Sequence, residues 1–410
     1  MTEGALADLD FTSPAFRANP YPMYDQMRMQ APRLLSEKDH YREWLFTRYE
    51  DVAMVLKDHR FIKEQTTLMQ NPSVAPSPSG AERNPLYQMF DNWMLFRDPP
   101  THTRLRSLVN QAFTPRMIER LGPRISAIAE SLLTPLRDQE HFDLINAYAF
   151  PLPVIVIAEM LGVPAEDRAM FREWSTAISS TLEFGSVDQA TVERGGQMAK
   201  QVMDYFRQLV RARRKAPKAD VISSMIAAEE QGTRLSEDEL LATCVLLLFA
   251  GHETTVNLIG NSVALLLAHP DTHQLLRETP ALMPSAVEEF LRFESPVQLT
   301  NRFAAQDVVI GQDVIRRGDN VNVFLGAANR DPDVFANPHQ LDVQRHPNRH
   351  LAFAAGPHFC IGAPLARMEG VIAIESLLTH YIGIEPAYEH IDWRQSGVFR
   401  GPLALPVRVR

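Results

Sequence analysis

The sequence predicts a mainly α fold with small β-sheets, built as a single large domain over residues 1–410. Three observations carry this. Helical periodicity dominates from about residue 100 to 295. Short alternating, strand-like pieces occur near the N-terminus at WLFTRYE (44–50) and again at DVVIGQDVIRRGDNVNVFL (307–325), where GQD and RGD supply the turns. No repeat, low-complexity tract or clear linker separates these regions.

In chain order, the strand-like piece near the N-terminus comes first. NPSVAPSPSGAERNP (71–85), rich in Pro, Ser and Gly, then interrupts the helical pattern and reads as a long mobile loop, a kind often tied to function. The helical block comes next, then the strands at 307–325, an irregular stretch from 329 to 359, and one last helix beginning after CIG (360–362).

Charge and cysteine usage exclude several classes. Lys and Arg number 41 against 50 Asp and Glu, a net charge of −9, so no broad basic field is available for nucleic acid. The densest basic run, RARRKAPK (211–218), reads as a solvated turn between two helices. Two cysteines cannot form a disulfide framework, which fits a reducing compartment. MTEGALADLDF at the N-terminus lacks the basic start and apolar core of a signal peptide. The longest apolar run, CVLLLFAG (244–251), is too short for a bilayer. The expectation is a cytoplasmic protein that does not enter a membrane.

One helix stands apart. SEDE (236–239) places Ser236 and Glu239 at capping-box spacing, and the pattern continues to about His269, before Pro270. At 1.5 Å per residue this is roughly 50 Å, enough to cross a domain. From Leu240 to Leu267 it is apolar on nearly every face, so it should be buried. Yet its middle reads AGHETTVN (250–257). Gly251 weakens a helix, a threonine hydroxyl can bond back to the carbonyl one turn earlier and bend it, and Glu253 needs a partner or a wet cavity. One reading is a polar edge that touches solvent. The sharper reading is a kink that opens a polar pocket inside the core.

The second feature is FAAGPHFCIG (353–362). Cys360 directly precedes a helical pattern, where the helix dipole and unpaired backbone N–H groups favour thiolate. Pro364 suits the first turn, and Gly356 and Gly362 allow close backbone approach. Three roles for the thiol are open: an inert buried side chain, a zinc ligand with His346, His350 and His358, or the single thiolate ligand of a haem iron.

FAAGPHFCIG resembles the haem-thiolate loop of the cytochrome P-450 monooxygenases, Phe-Gly-x-Gly-x-His-x-Cys-x-Gly, through Phe353, Gly356, His358, Cys360 and Gly362. Ala354 stands where that family has glycine, which fits an alanine if φ is negative there. Other segments resemble the family in the same order. AGHETT (250–255) matches the central helix, and EEFLR (288–292) matches the Glu-x-x-Arg helix with Glu289 and Arg292. Arg345 matches the later arginine that locks that pair. DPPTHTRLRSLV (98–109) brings His102 and Arg106 as haem-propionate contacts, joined by Arg302 in TNRFA and by His358.

The resemblance implies haem b as cofactor, with Cys360 as iron ligand beside Phe353, and a long central helix crossing the haem. It implies Glu253 and Thr254 as the acid–alcohol pair that feeds protons to dioxygen activation, with the small Ala250 and Gly251 leaving room above the haem. It implies structural roles for Glu289, Arg292 and Arg345. No reductase domain is read in the chain, so electrons would come from a separate ferredoxin or flavodoxin with its NAD(P)H-dependent reductase. Arg104, Arg116, Arg349 and Arg367 are candidates for a basic docking face.

The branch most similar is the soluble bacterial one of macrolide- and polyketide-tailoring and biotin-synthesis enzymes. Position assigns Met94, Leu95, Leu246, Val297, Leu299, Thr300, Val398 and Phe399 to the substrate pocket, with loop 62–95 covering it. These are mostly apolar, which suits a lipophilic small molecule, polyketide-like or fatty-acid-like. The expected reaction is hydroxylation. Cleavage of a carbon–carbon bond in a fatty-acyl chain, peroxide-driven chemistry, and haem sensing or carriage without turnover are the alternatives. The acid–alcohol pair argues against the last two.

Overall fold

The computed structural model describes residues 10–11, 13–38, 41–64, 84–183, 187–230 and 235–410. Most of the Pro/Ser-rich stretch 71–85, and with it most of the expected covering loop 62–95, lies outside the described residues. Among the described residues helices dominate, and three small sheets accompany them. The chain divides into two compact units, Met1–Phe61 with Gly122–Leu152 and Thr254–Arg410, and Ile62–Leu121 with Pro153–Glu253. The division falls within one continuous helix, Glu237–Ala268.

In the first unit, the main sheet forms where the sequence alternates. Strand Tyr41–Phe46 pairs antiparallel with Arg33–Lys38 and parallel with Asn320–Phe324, Trp44 facing Val321. Leu299–Ala304 then pairs antiparallel with Asn320–Phe324, Leu299 opposite Phe324. The core over this sheet gathers Trp44, Phe46, Val52, Val55, Val321 and Val323, and it continues into Leu351 and Ala355. The cysteine-bearing loop is therefore anchored at its start by two residues sunk in the sheet's own core.

Two helices frame the other side of that loop. Met283–Phe293 and the C-terminal helix Ala363–His380 meet at Gly370, where an added Cβ would lie 3.3 Å from the Val287 side chain. The Tyr148 hydroxyl fixes the second helix by donating to the Ala373 carbonyl at 2.8 Å.

The second unit is helical among its described residues apart from short turns. The basic run 211–218 is not simply a solvated turn. Gln189–Lys215 carries Arg213 into the interior, where it pairs with Asp220 and donates to the Gly162 carbonyl. A positive φ of 73° at Gly162, with Asp220 and Arg213 packed against its Cα, leaves no space for a side chain there.

The long helix starts as its sequence dictates. The Ser236 N–H donates to Glu239 at 2.9 Å, and the Glu239 N–H donates to the Ser236 hydroxyl at 3.1 Å. It runs unbroken from Glu237 to Ala268. Some of its polar side chains bond back to carbonyls one turn earlier, while Asn261 donates outside the helix to the Glu294 and Arg400 carbonyls. Thr243 donates to the Glu239 carbonyl, Ser262 donates to that of Leu258, and His252 Nδ1 lies 2.7 Å from the Leu248 oxygen. By length and composition this helix could cross a membrane, but most of its apolar span is buried within the protein.

Candidate active site

Of the two cysteines, Cys244 is fully buried in the long helix, and burial pushes its thiol well above the ordinary range. The inert reading belongs to it. Cys360 is partly accessible and lies between a single 3-10 turn, Gly356–His358, and the first turn of Ala363–His380. Its N–H donates to the Phe353 carbonyl at 3.0 Å. Gly356 has a φ of 70°, and an added Cβ would fall 2.4 Å from the Leu56 oxygen, so only glycine closes the loop against the sheet-side helix. Gly362 has φ −84° and needs no such freedom. Its missing side chain instead keeps the approach to the Cys360 sulfur open, an added Cβ sitting 3.9 Å from Sγ.

Ala354 departs from expectation. Its φ is +56°, left-handed, not negative. That conformation costs an L side chain about 1–2 kcal/mol. The neighbouring Ala354 N–H to Leu351 carbonyl bond at 2.8 Å and the close packing of Gly356 hold the turn regardless.

Glu289, Arg292 and Arg345 come together. Arg292 meets the Glu289 carboxylate with two hydrogen bonds of 2.7 Å, and Arg345 Nε reaches both its oxygens at 3.2 Å. The Asp342 N–H and the Asn348 amide add further donors. Arg292 also donates to the carbonyls of Asn329 and Pro338, and Arg345 to that of Ala336. A fully buried charged pair is tolerable because nearly every donor and acceptor is used. The result ties the irregular stretch 329–348 to one helix and so fixes the chain leading into the cysteine loop.

The acid–alcohol pair sits mid-helix. Glu253 is 2% exposed, with its Oε2 3.7 Å from His252 Nε2. Ala250 is exposed and Gly251 and Thr254 are partly so, an accessible stripe on a helix otherwise buried here. The missing Cβ of Gly251 faces Ile157 at 2.9 Å, so this glycine admits the Ile157 side chain, and Ala250 with Thr254 forms the open part of the stripe.

His102 and Arg106 lie one turn apart on helix Thr101–Ala112, His102 buried and Arg106 partly exposed. In the first unit, Arg302 is 2% exposed on its strand and His358 closes the 3-10 turn. Among the pocket candidates of that unit, Val297 and Phe399 form a bridge, and the Gln298 N–H donates to the Val398 carbonyl at 2.8 Å. The two stretches 297–300 and 398–399 are thus joined, with Leu299 and Phe399 buried and Thr300 partly exposed. In the second unit, Met94 and Leu246 are buried and Leu95 is partly so, beside an aromatic stack of Trp93 on Phe96 and Phe249.

The donor set fits haem. It offers one accessible thiol held in a glycine-bounded loop and, in the same unit, the buried Arg302 guanidinium, suited to a carboxylate arm. It does not fit zinc: among the described residues no three His, Cys, Asp or Glu side chains are grouped to hold a metal ion, and His350 is committed to Glu288 at 3.1 Å. The family model of cytochrome P450 matches residues 38–279 and 281–385.

The chain belongs to the cytochrome P450 family.

It is 42% identical over 397 residues to the biotin biosynthesis cytochrome P450 of Bacillus subtilis (strain 168), covering 96% of this chain and 97% of that protein. It is 40% identical over 399 residues to the polyketide biosynthesis cytochrome P450 PksS of the same organism, 96% of each chain. The crystal structure of P450BioI in complex with hexadec-9Z-enoic acid ligated acyl carrier protein superposes with a TM-score of 0.90 at 40% identity, covering 98% of this chain and 100% of that one. The chain is accordingly a cytochrome P450 monooxygenase whose cofactor is haem, and its chemistry requires dioxygen and a source of electrons.

One cluster escaped the motif reading. Glu288, next to Glu289, points the other way: it takes Arg367 in two hydrogen bonds of 2.6 and 2.9 Å and His350 at 3.1 Å. The doubled carboxylate in EEFLR is the local signal, but the partners are 62 and 79 residues away. Two of the four arginines expected to form a basic face are likewise spoken for: Arg367 by Glu288 and Arg104 by Glu239. Arg116 and Arg349 are exposed.

Proposed function

We propose that this P450 binds haem through the Cys360 thiolate and hydroxylates a long, lipophilic acyl-type chain, fatty-acid-like or polyketide-like, in the cytoplasm. The observation that carries the reading is the accessible stripe at Ala250 and Thr254 on a buried helix, beside the buried acid Glu253. An apolar substrate edge at Val297, Leu299 and Phe399 supports it. So does the kinship with proteins named for biotin and polyketide biosynthesis, one of them solved with an acyl chain on its carrier protein. Both compact units form one catalytic domain in this reading, since the family model spans both.

Haem, when bound, supplies the iron at which dioxygen is activated. The chain supplies the rest. Thr254, partly exposed on the stripe, passes a proton through its hydroxyl, and Glu253, buried beside His252, restores that proton. His102, Arg106, Arg302 and His358 pair with the haem's carboxylates, and Phe353 packs beside the ligand loop. Met94, Leu95, Leu246, Val297, Leu299, Thr300, Val398 and Phe399 are the residues assigned to substrate contact. Apolar walls with few polar groups hold a flexible chain by shape, which leaves the attacked carbon to be set by its depth of entry. Electrons arrive from a ferredoxin or flavodoxin with an NAD(P)H-dependent reductase.

A second reading has the same site cleave a carbon–carbon bond of a fatty-acyl chain by successive oxidations. The similarity to a biotin biosynthesis enzyme and to a structure holding a carrier-bound acyl chain favours it. One experiment separates them. The haem-loaded protein is titrated with free fatty acids, acyl carrier proteins and macrolides, and products are then identified in reductase-supported turnover. Hydroxylated chains of unchanged length support the first reading, and shortened diacids support the second. A haem spin state that none of these ligands moves contradicts both.

A further inference from the structure

The Phe353 ring, beside the cysteine loop, is enclosed by three groups. Arg367 places its guanidinium carbon 4.6 Å from the ring centroid, His350 lies tilted at 6.0 Å, and Phe359 meets it edge-on at 6.3 Å. The Phe353 carbonyl takes the Cys360 N–H, so ring and thiol belong to one rigid turn. Arg367 stands on the first turns of Ala363–His380 and would be free to swing, being 37% exposed, were it not clasped by Glu288 from helix Met283–Phe293. A bidentate guanidinium–carboxylate pair is planar and directional, so Glu288 sets the angle at which Arg367 covers the ring. His350, with its side chain 2% exposed, accepts the Ala352 N–H at Nδ1 and therefore donates Nε2–H to Glu288. Nothing in the acid–alcohol or propionate chemistry uses these residues.

We propose that Glu288 and Arg367 form a charge pair against Phe353 that sets the reduction potential of the haem held by Cys360, the Arg367 cation favouring the reduced form and the Glu288 carboxylate offsetting it. This role rests on the haem-thiolate reading of Cys360. Reduction adds negative charge to the iron–thiolate unit, and a cation held over the adjoining ring favours the reduced form. Glu288 opposes that cation from farther out, since it reaches the loop only through Arg367 and His350.

The test is the midpoint potential of the purified haem-loaded protein, by spectroelectrochemical titration without substrate, for wild type, E288Q and R367Q. E288Q keeps the shape of the side chain but leaves Arg367 uncompensated, and its potential rises. R367Q leaves the Glu288 carboxylate uncompensated, and its potential falls. Opposite shifts cannot come from mere loosening of the loop, which moves both variants the same way. Should R367Q fail to retain haem, R367K takes its place: with the charge kept, it stays closer to wild type than E288Q does. Shifts of equal sign, or none in E288Q, overturn the proposal. Failure of the haem-thiolate reading looks different: the reduced wild-type protein under carbon monoxide would lack the red-shifted Soret band of a thiolate ligand.

Discussion

The Cys360 N–H donates to the Phe353 carbonyl at 3.0 Å, closing a turn whose two ends are the thiol and an aromatic ring. The turn rests on residues of the sheet core at Leu351 and Ala355 and is roofed by side chains of two helices. A thiol in such a frame is presented in one orientation, with Gly362 leaving its sulfur approachable. Some residues hold this frame and others act on it, and substitution separates the two groups.

Glu289 is the keystone of the chain leading into the loop. E289A leaves Arg292 fully buried without its carboxylate, and removing one partner of a buried pair costs about 3–5 kcal/mol. We expect a fall in chemical-denaturation midpoint and poor haem retention, read together from urea titrations and the ratio of haem to protein absorbance. A variant as stable as wild type would remove Glu289 from this role.

Ala354 is strained by its left-handed φ of +56°. A354G relieves that strain while adding chain entropy to the unfolded state, so it gains roughly 0.5–1 kcal/mol net. G356A is the contrast: its Cβ would meet the Leu56 oxygen at 2.4 Å, and the loop cannot close. Thermal unfolding of the two variants checks the pair, with melting raised in the first and lowered in the second.

Thr254 and Glu253 carry protons in the proposed mechanism. T254A is expected to bind haem and substrate normally but to release much of its consumed reductant as hydrogen peroxide, with product per NAD(P)H down about tenfold or more. E253Q is expected to slow turnover with less uncoupling. Peroxide yield and product yield, measured side by side, decide this. Full coupling in T254A removes the hydroxyl from the proton path.

The Glu288 clasp is sensitive to acid in a defined window. Burial raises its carboxyl, but hydrogen bonds from His350 and Arg367 together with the Arg367 charge more than offset this and hold it at about 2, below its usual 4.5. A depressed carboxyl stabilises the fold above its unfolded value and loses that contribution as pH falls through the folded one. The stability gap between wild type and E288Q is therefore steady above about pH 5 and shrinks toward about pH 2. Denaturation curves for both proteins across that range test the sign. A gap that widens on acidification contradicts the assignment.

How much of this could be read from residues alone depends on the distance over which each feature is encoded. The capping box of Ser236 and Glu239 and the pair Glu289–Arg292 are local spacings, so the sequence displays them directly. Arg345 is legible only through family resemblance, as its bond to Glu289 spans 56 residues. Glu288 and Arg367 are 79 residues apart and belong to no motif, so only packing reveals them. Arg213 misleads because a basic run at a helix end reads as solvated, while tertiary burial turns one of its members inward. In the long helix, side-chain bonds from Thr243 and Ser262 to carbonyls one turn back follow from local spacing, whereas the Asn261 bonds to Glu294 and Arg400 come only from packing. Ala354 shows the limit of sterics as a sequence rule, since neighbouring contacts hold a strained φ that composition disfavours.

Every functional role proposed for these residues depends on Cys360 being the thiolate ligand of a catalytic haem. The most direct measurement is the absorption spectrum of the reduced, carbon-monoxide-bound protein, for wild type and C360S purified under the same haem-replete conditions. Thiolate ligation by Cys360 predicts the red-shifted Soret band in wild type and its absence in C360S. The same band in C360S, or no such band in haem-loaded wild type, would contradict it.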